Sequence, residues 1–222
     1  MLLQARDLTV SRIAEDVPVD VLRGVDLEVA AGTLTDVVGP SGCGKTTLLL
    51  ALARLLPEAK GELELDGRPA SAIDPRTWRT RVAYLPQHTS LVPGTVADNL
   101  MLPWSLKVRR GATPPSTDEL RAVLDRIGMS DVGLERDAAR LSVGQAARVA
   151  LLRAVLSGPA VLLLDEPDAS LDDASAAEVA RITTGFVAGG GAAVRVRHAR
   201  VDAGADRRLV LGGGRLSEAS RD

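Results

Sequence analysis

The run Gly39-Pro40-Ser41-Gly42-Cys43-Gly44-Lys45-Thr46-Thr47 constrains the fold more than any other stretch of the chain. It fits the pattern G-x-x-x-x-G-K-[ST], in which glycines let backbone N–H groups close on phosphate oxygens. In that pattern the lysine reaches the β/γ-phosphates and the next hydroxyl is offered to Mg²⁺. Such a loop needs a strand before it and a helix after it. Residues 33–38 are a short β-prone run entering the loop, and 47–56 are a strong helix former leaving it. A helix starting there aims its unpaired N–H groups and the positive end of its dipole at the phosphates. The plainer alternative is a Gly-rich turn capping an ordinary helix, and the strand-loop-helix setting argues against it.

Val161-Leu162-Leu163-Leu164-Asp165-Glu166-Pro167 is the second element. Aliphatics followed by two acids mark a buried strand that ends at a polar crevice, and ligands bind at the carboxyl ends of such strands. Asp165 can hold Mg²⁺ through water, and Glu166 can accept a proton from an attacking water. Alone, the string also reads as a strand end with two solvated acids. With a phosphate loop upstream, the acids have a use.

At 222 residues and 45% hydrophobic content the chain can build one large packed domain. Its apolar runs stop far short of the roughly 20 residues of a membrane span. No charged-then-apolar leader opens it, so the chain is expected neither to cross a membrane nor to be exported. A net charge of −2 lacks the basic footprint of a nucleic-acid binder, and the pairs Arg109-Arg110 and Arg207-Arg208 read as solvated surface. The single cysteine, Cys43, excludes an internal disulfide and suits a reducing cytoplasm. Histidines and carboxylates show no metal-ligand spacing, so any metal is expected to arrive with a nucleotide.

Residues 2–30 alternate apolar and polar in two stretches around 11–19, an antiparallel β-layer ahead of the loop strand. Residues 62–67 read as a strand and turn, and 81–85 as a strand running into Pro86-Gln87. From 96 to about 156 the period is helical, with Leu120, Val123, Leu124 and Ile127 on one face of a helix that ends before Gly128. Beyond it, 161–164 and 192–196 read as buried parallel strands, 174–187 as the helix between them, and 207–211 as a later strand. Trp78, Tyr84 and Trp104 read as packing residues.

Taken in order, the phosphate loop, Gln87, Leu141-Ser142-Val143-Gly144-Gln145, Asp165-Glu166, Ala169-Ser170-Leu171-Asp172 and His198 resemble the ATP-binding subunit of ABC transporters over essentially the whole chain. Residues 141–145 resemble the signature usually read LSGGQ, 169–172 the D-loop, Gln87 the Q-loop glutamine and His198 the switch histidine. The resemblance implies an α/β ABC ATPase fold: a P-loop NTPase (RecA-like) core with an N-terminal antiparallel β-layer and an inserted α-helical subdomain. One domain would span 1–222, with 1–87 and 157–222 as nucleotide-binding core and 88–156 as helical subdomain.

The resemblance also implies ATP and Mg²⁺ as cofactors and a homodimer closed around ATP. Gly39, Pro40, Ser41, Gly42, Cys43, Gly44, Lys45, Thr46 and Thr47 of one copy would meet Ser142, Gly144 and Gln145 of the other. The N–H groups of the helix after Gly144 give that contact a physical basis, and a capping role for Ser142 is compatible with it. Thr46, Gln87 and Asp165 would attend the metal, Glu166, His198 and Gln87 would serve hydrolysis, and Asp172 would couple the two sites. A separate multi-span membrane permease would be the partner, with no nucleic acid. The chain would lie in the cytoplasm, peripheral on the inner face of the cell membrane.

Several positions depart from the family pattern. The aromatic residue that stacks on adenine is missing near Ser11-Arg12-Ile13, which leaves the Arg12 guanidinium as the expected platform. Val143 replaces a signature glycine, removing access to positive φ and predicting a looser approach to phosphate and slow hydrolysis. Asp36 lies in a strand where an apolar residue is expected, and the sequence offers no account of it. Arg197 and Asp168 each stand where threonine is common. Residues 95–104 and the GPSGCGKTT loop are similar to Fet/Ybb-type ATPases linked to iron export. The short stretch after Leu216 predicts no appended regulatory domain. The expected function is to bind and hydrolyse ATP for a transporter, with metal export as the finer reading. The alternative is a soluble or regulatory ABC-type protein with weak hydrolysis.

Overall fold

The computed structural model describes residues 1–14, 17–197 and 204–219. The chain opens with β1 (Leu3–Ala14) and β2 (Val17–Val29), followed by β3 (Leu34–Val38), the loop and α1 (Lys45–Leu52). Next come β4 (Lys60–Leu65), β5 (Arg68–Pro69), α2 (Pro75–Arg81) and β6 (Val82–Leu85). Helices α3 (Val96–Met101), α4 (Thr117–Arg126) and α5 (Val143–Leu156) then lead to β7 (Val161–Asp165), α6 (Asp173–Ala188), β8 (Ala192–Arg197), β9 (Arg207–Gly212) and β10 (Arg215–Glu218).

Two sheets result. The first is four-stranded and antiparallel in the order β2-β1-β4-β5. The second has six strands in the order β10-β9-β3-β8-β7-β6, parallel except for the β9–β10 hairpin. The parallel strands are covered on both faces, which is why β7 and β8 are buried at every residue. One apolar cluster joins the antiparallel layer, α1 and one face of the large sheet, including Leu3, Val10, Leu48, Leu163 and Val194. A second fills the opposite face, where Leu34, Leu162, Leu164 and Ala193 meet Leu120, Leu124, Val149 and Val179 of the helices.

The hairpin extends further than its polarity suggests. Residues 11–19, read as the link between two strands, pair in register from Ser11↔Asp20 to Ala14↔Val17. The side chains of residues 11–13 and 17–19 are exposed, so this outer pairing left no burial pattern to read. Helix α1, expected to reach residue 56, instead stops at Leu52. Arg54 takes the left-handed conformation (φ 55), and the Leu55 N–H bonds the Leu50 carbonyl at 2.9 Å, a Schellman-type end. The indole N–H of fully buried Trp78 takes the carbonyl of Leu52 at 2.9 Å, and the Arg54 guanidinium lies 5.6 Å from the same ring.

Asp36 finds its partner across the sheet. It is in register with Arg195 of β8, whose Nε and Nη2 donate to the two carboxylate oxygens at 2.8 and 3.0 Å. The side chains are 1% and 3% exposed. A forked guanidinium matched to a carboxylate is the arrangement that makes a buried charge tolerable.

Candidate functional site

The carboxyl ends of β3 and β7 place the two elements read from the sequence beside each other in the parallel sheet, one strand apart. Gly44 takes φ 105, a conformation that excludes side chains, and starts α1 with no side-chain cap. The first N–H groups of α1 are therefore left for an anion. Lys45 is buried, and its ammonium donates to the carbonyls of Gly39 and Pro40 at 2.8 and 3.0 Å, spanning the loop. Ser41, Gly42 and Thr46 are exposed, Cys43 is half-buried, and Thr47 is buried.

At the end of β7, Asp165 and Glu166 are buried carboxylates. Asp165 accepts a hydrogen bond from the Tyr84 hydroxyl at 3.1 Å. Burial, and next the neighbouring Asp165 charge, push the Tyr84 hydroxyl well above its ordinary pKa, so it remains a donor. Tyr84 packs against the core as its sequence context suggests, and the hydrogen bond to Asp165 is a second role. That role was hidden because its partner lies on the adjacent strand, 81 residues away. Glu166 has φ 47, uncommon for a residue with a side chain, and its carboxylate accepts from the Gln87 amide at 2.9 Å. Gln87, Asp165 and Glu166 thus converge on one crevice.

Ser142, Gly144 and Gln145 form the start of α5. Ser142 accepts from the Gln145 backbone N–H at 3.2 Å, and the Gln145 side chain accepts from the Ser142 N–H at 3.0 Å, a capping box. Val143 is the first residue of this helix, so no positive φ is called for there. The backbone argument for a looser loop therefore fails. The substitution instead offers an apolar side chain, 66% exposed, beside Ser142.

Gly144 presses on α6. A Cβ added to it would lie 2.2 Å from Ser175 Oγ and 2.8 Å from Ser175 Cβ. Asp172 caps α6, accepting from the Ser175 N–H at 2.8 Å and from its hydroxyl at 3.2 Å. The backbone N–H of Ser175 holds the Asp172 carboxyl below the usual range. Gly144→Ala should therefore prise α5 from α6 and cost about 1–3 kcal/mol. Denaturant melts check this, with Gly144→Ala/Ser175→Gly expected to recover most of the loss.

Arg12 is exposed on β1 opposite Val19. Asp168, just past Glu166, pairs with Arg197 at the end of β8. His198 lies outside the described residues.

The family model described as "ABC transporter" matches residues 22–169. The chain belongs to the ABC transporter family. It is an ABC-type ATPase, the ATP-binding subunit class of such transporters. Protein STAR1 of Oryza sativa subsp. japonica is 43% identical over 70% of this chain and 44% of its own length, so the chain spans less than half of that relative. The probable iron export ATP-binding protein FetA of Escherichia coli (strain K12) is 35% identical over 70% of this chain and 67% of that protein. A solved bacterial Atm1-family ABC exporter with ATP bound aligns with TM-score 0.81 and 27% identity, covering 97% of this chain and 38% of the exporter chain. The α/β ABC ATPase fold expected from the sequence is the fold observed. Among the described residues, no helix is long and apolar enough to cross a membrane.

Proposed function

We propose that this ABC ATPase works as a homodimer, with ATP held between the phosphate loop of one copy and Ser142, Gly144 and Gln145 of the other, and that it drives a separate multi-span permease from the cytoplasmic face of the membrane. The observation that carries the reading is the Gln87–Glu166 hydrogen bond of 2.9 Å. It ties the glutamate that would activate water to the residue where the chain leaves β6 for the helices, so a change at the phosphates can reach a surface built by those helices.

In this reading Lys45 and the N–H groups of Gly39–Thr47 hold the phosphates, and Asp172 of each copy couples the two sites. Glu166 orients the attacking water and takes its proton, with Gln87 and His198 beside the γ-phosphate. Arg12 stacks on the base. Thr46, Asp165 and Gln87 offer only oxygen ligands, a set that suits Mg²⁺ with water and phosphate completing its shell. When bound, Mg²⁺ would supply positive charge against the phosphate oxygens. Residues 1–87 and 157–222 act as the nucleotide-binding core and 88–156 as the helical subdomain. Iron export is the cargo reading, supported by the similarity to FetA, a probable iron export ATP-binding protein.

Co-expression with a candidate multi-span permease tests this. The chain should sediment with membranes only when that protein is present, and inverted vesicles should then take up ferrous iron with MgATP but not with Lys45→Ala. Sedimentation without iron uptake would overturn the cargo. No sedimentation would favour the soluble, regulatory alternative.

A further inference from the structure

Two arginines of β8, Arg195 and Arg197, point to the same face of the sheet, and each meets a carboxylate from another element. Arg195 meets Asp36 on the face of the sheet that carries the second apolar layer, with both side chains buried. Arg197 meets Asp168, which lies in the turn that follows β7, two residues after Glu166. The side chains of this second pair are 6% and 11% exposed, so it too is shielded from water.

The turn that receives Arg197 is under strain. Glu166 at φ 47 occupies a region that is costly for a residue with a side chain and persists only where neighbours over-determine it. The neighbours are identifiable. The Glu166 N–H donates to the Val196 carbonyl at 3.1 Å, and the Ala169 N–H closes the turn on the Glu166 carbonyl at 3.2 Å. Val196 and Arg197 are consecutive at the end of β8. One grips the turn by its backbone and the other by the Asp168 carboxylate, so the strained residue is held from both sides of its own peptide.

We propose that Arg197, acting through Asp168, is a positioning residue for hydrolysis: the pair clamps the turn after β7 so that the Glu166 carboxylate stays at the crevice beside Gln87. Neither residue needs to touch the nucleotide. The pair also links both departures from threonine noted in the sequence, since the two residues that replace it are charge partners. A lone arginine or a lone aspartate at this depth would leave an uncompensated charge.

The test is a double-mutant cycle on the full chain with Arg197→Thr, Asp168→Thr and the double variant, together with Arg197→Lys. Steady-state hydrolysis, binding of a fluorescent ATP analogue and thermal melts are read for each. Arg197→Thr should lower kcat by about 10- to 100-fold, as misplacement of a reacting group does, while analogue affinity stays within about twofold of wild type. The double variant should exceed either single variant in kcat, and Arg197→Lys, which keeps the charge but replaces the guanidinium whose Nη2 reaches Asp168 with a compact ammonium, should lie between.

Amide exchange provides a readout independent of turnover. The Glu166 and Ala169 N–H groups should exchange faster in Arg197→Thr and return toward wild type in Arg197→Lys. Wild-type kcat together with unchanged exchange in Arg197→Thr would overturn the clamp, and so would a loss of affinity in step with kcat. A wild-type protein that binds the analogue but releases no phosphate would count against the hydrolytic role of Glu166 instead, and the exchange data would still decide the clamp.

Discussion

Glu166→Gln should lower kcat for ATP hydrolysis by about 10²- to 10⁴-fold, the range for losing a general base, and leave ATP affinity nearly unchanged. The amide is isosteric, and its carbonyl oxygen can still accept the Gln87 hydrogen bond made at 2.9 Å in the wild type. The left-handed backbone at φ 47 asks no more of glutamine than of glutamate. What disappears is the ability to take a proton from water. Nucleotide should then accumulate unhydrolysed, and light scattering after gel filtration should show a dimer with MgATP and a monomer without it. Phosphate release at the wild-type rate would remove Glu166 from the chemistry.

The second large effect lies away from the nucleotide. Asp36→Val should destabilise the fold by about 3–5 kcal/mol, because it removes the carboxylate that the Arg195 guanidinium forks onto at a site where the side chain is 3% exposed. Arg195→Met should do similar damage from the other side. The double variant Asp36→Val/Arg195→Met should be close to wild type or more stable by about 1–4 kcal/mol, since the desolvation cost of two charges is removed together. Urea melts of the four proteins form the cycle. If the single variants melt like wild type, the pair is not carrying the opposed charges as the geometry indicates.

How much of this was legible in the sequence depends on how far apart the interacting residues lie. The phosphate loop and the Val161–Asp165 strand were readable because each is a contiguous string whose neighbours declare its setting. Helix α4 was readable from its stripe of Leu120 and Leu124, both buried, and from its acidic start, while the Ser116–Glu119 capping box that opens it came only with the fold. Asp36 was opaque because its partner is 159 residues away on a strand that becomes its neighbour only in the fold. Tyr84 packs against the core as expected, and its hydrogen bond to Asp165 was opaque for the same reason. The early end of α1 turns on a left-handed Arg54 and on the Trp78 indole, neither of which leaves a local mark. The signature segment was recognised but one consequence was misjudged: Val143 falls on the first helical position, where L-residues fit without strain.

Gly144 and Ser175 share a space that holds one side chain and not two. Because Ser175 is also bonded to Asp172, the two positions form a gear contact between the segments expected to face a second copy of the chain. A lineage that enlarges position 144 would have to shrink position 175 in the same step. Divergence at this contact should therefore proceed by paired exchange, and chimeras joining α5 from one relative to α6 from another should fail whenever the two sizes are mismatched.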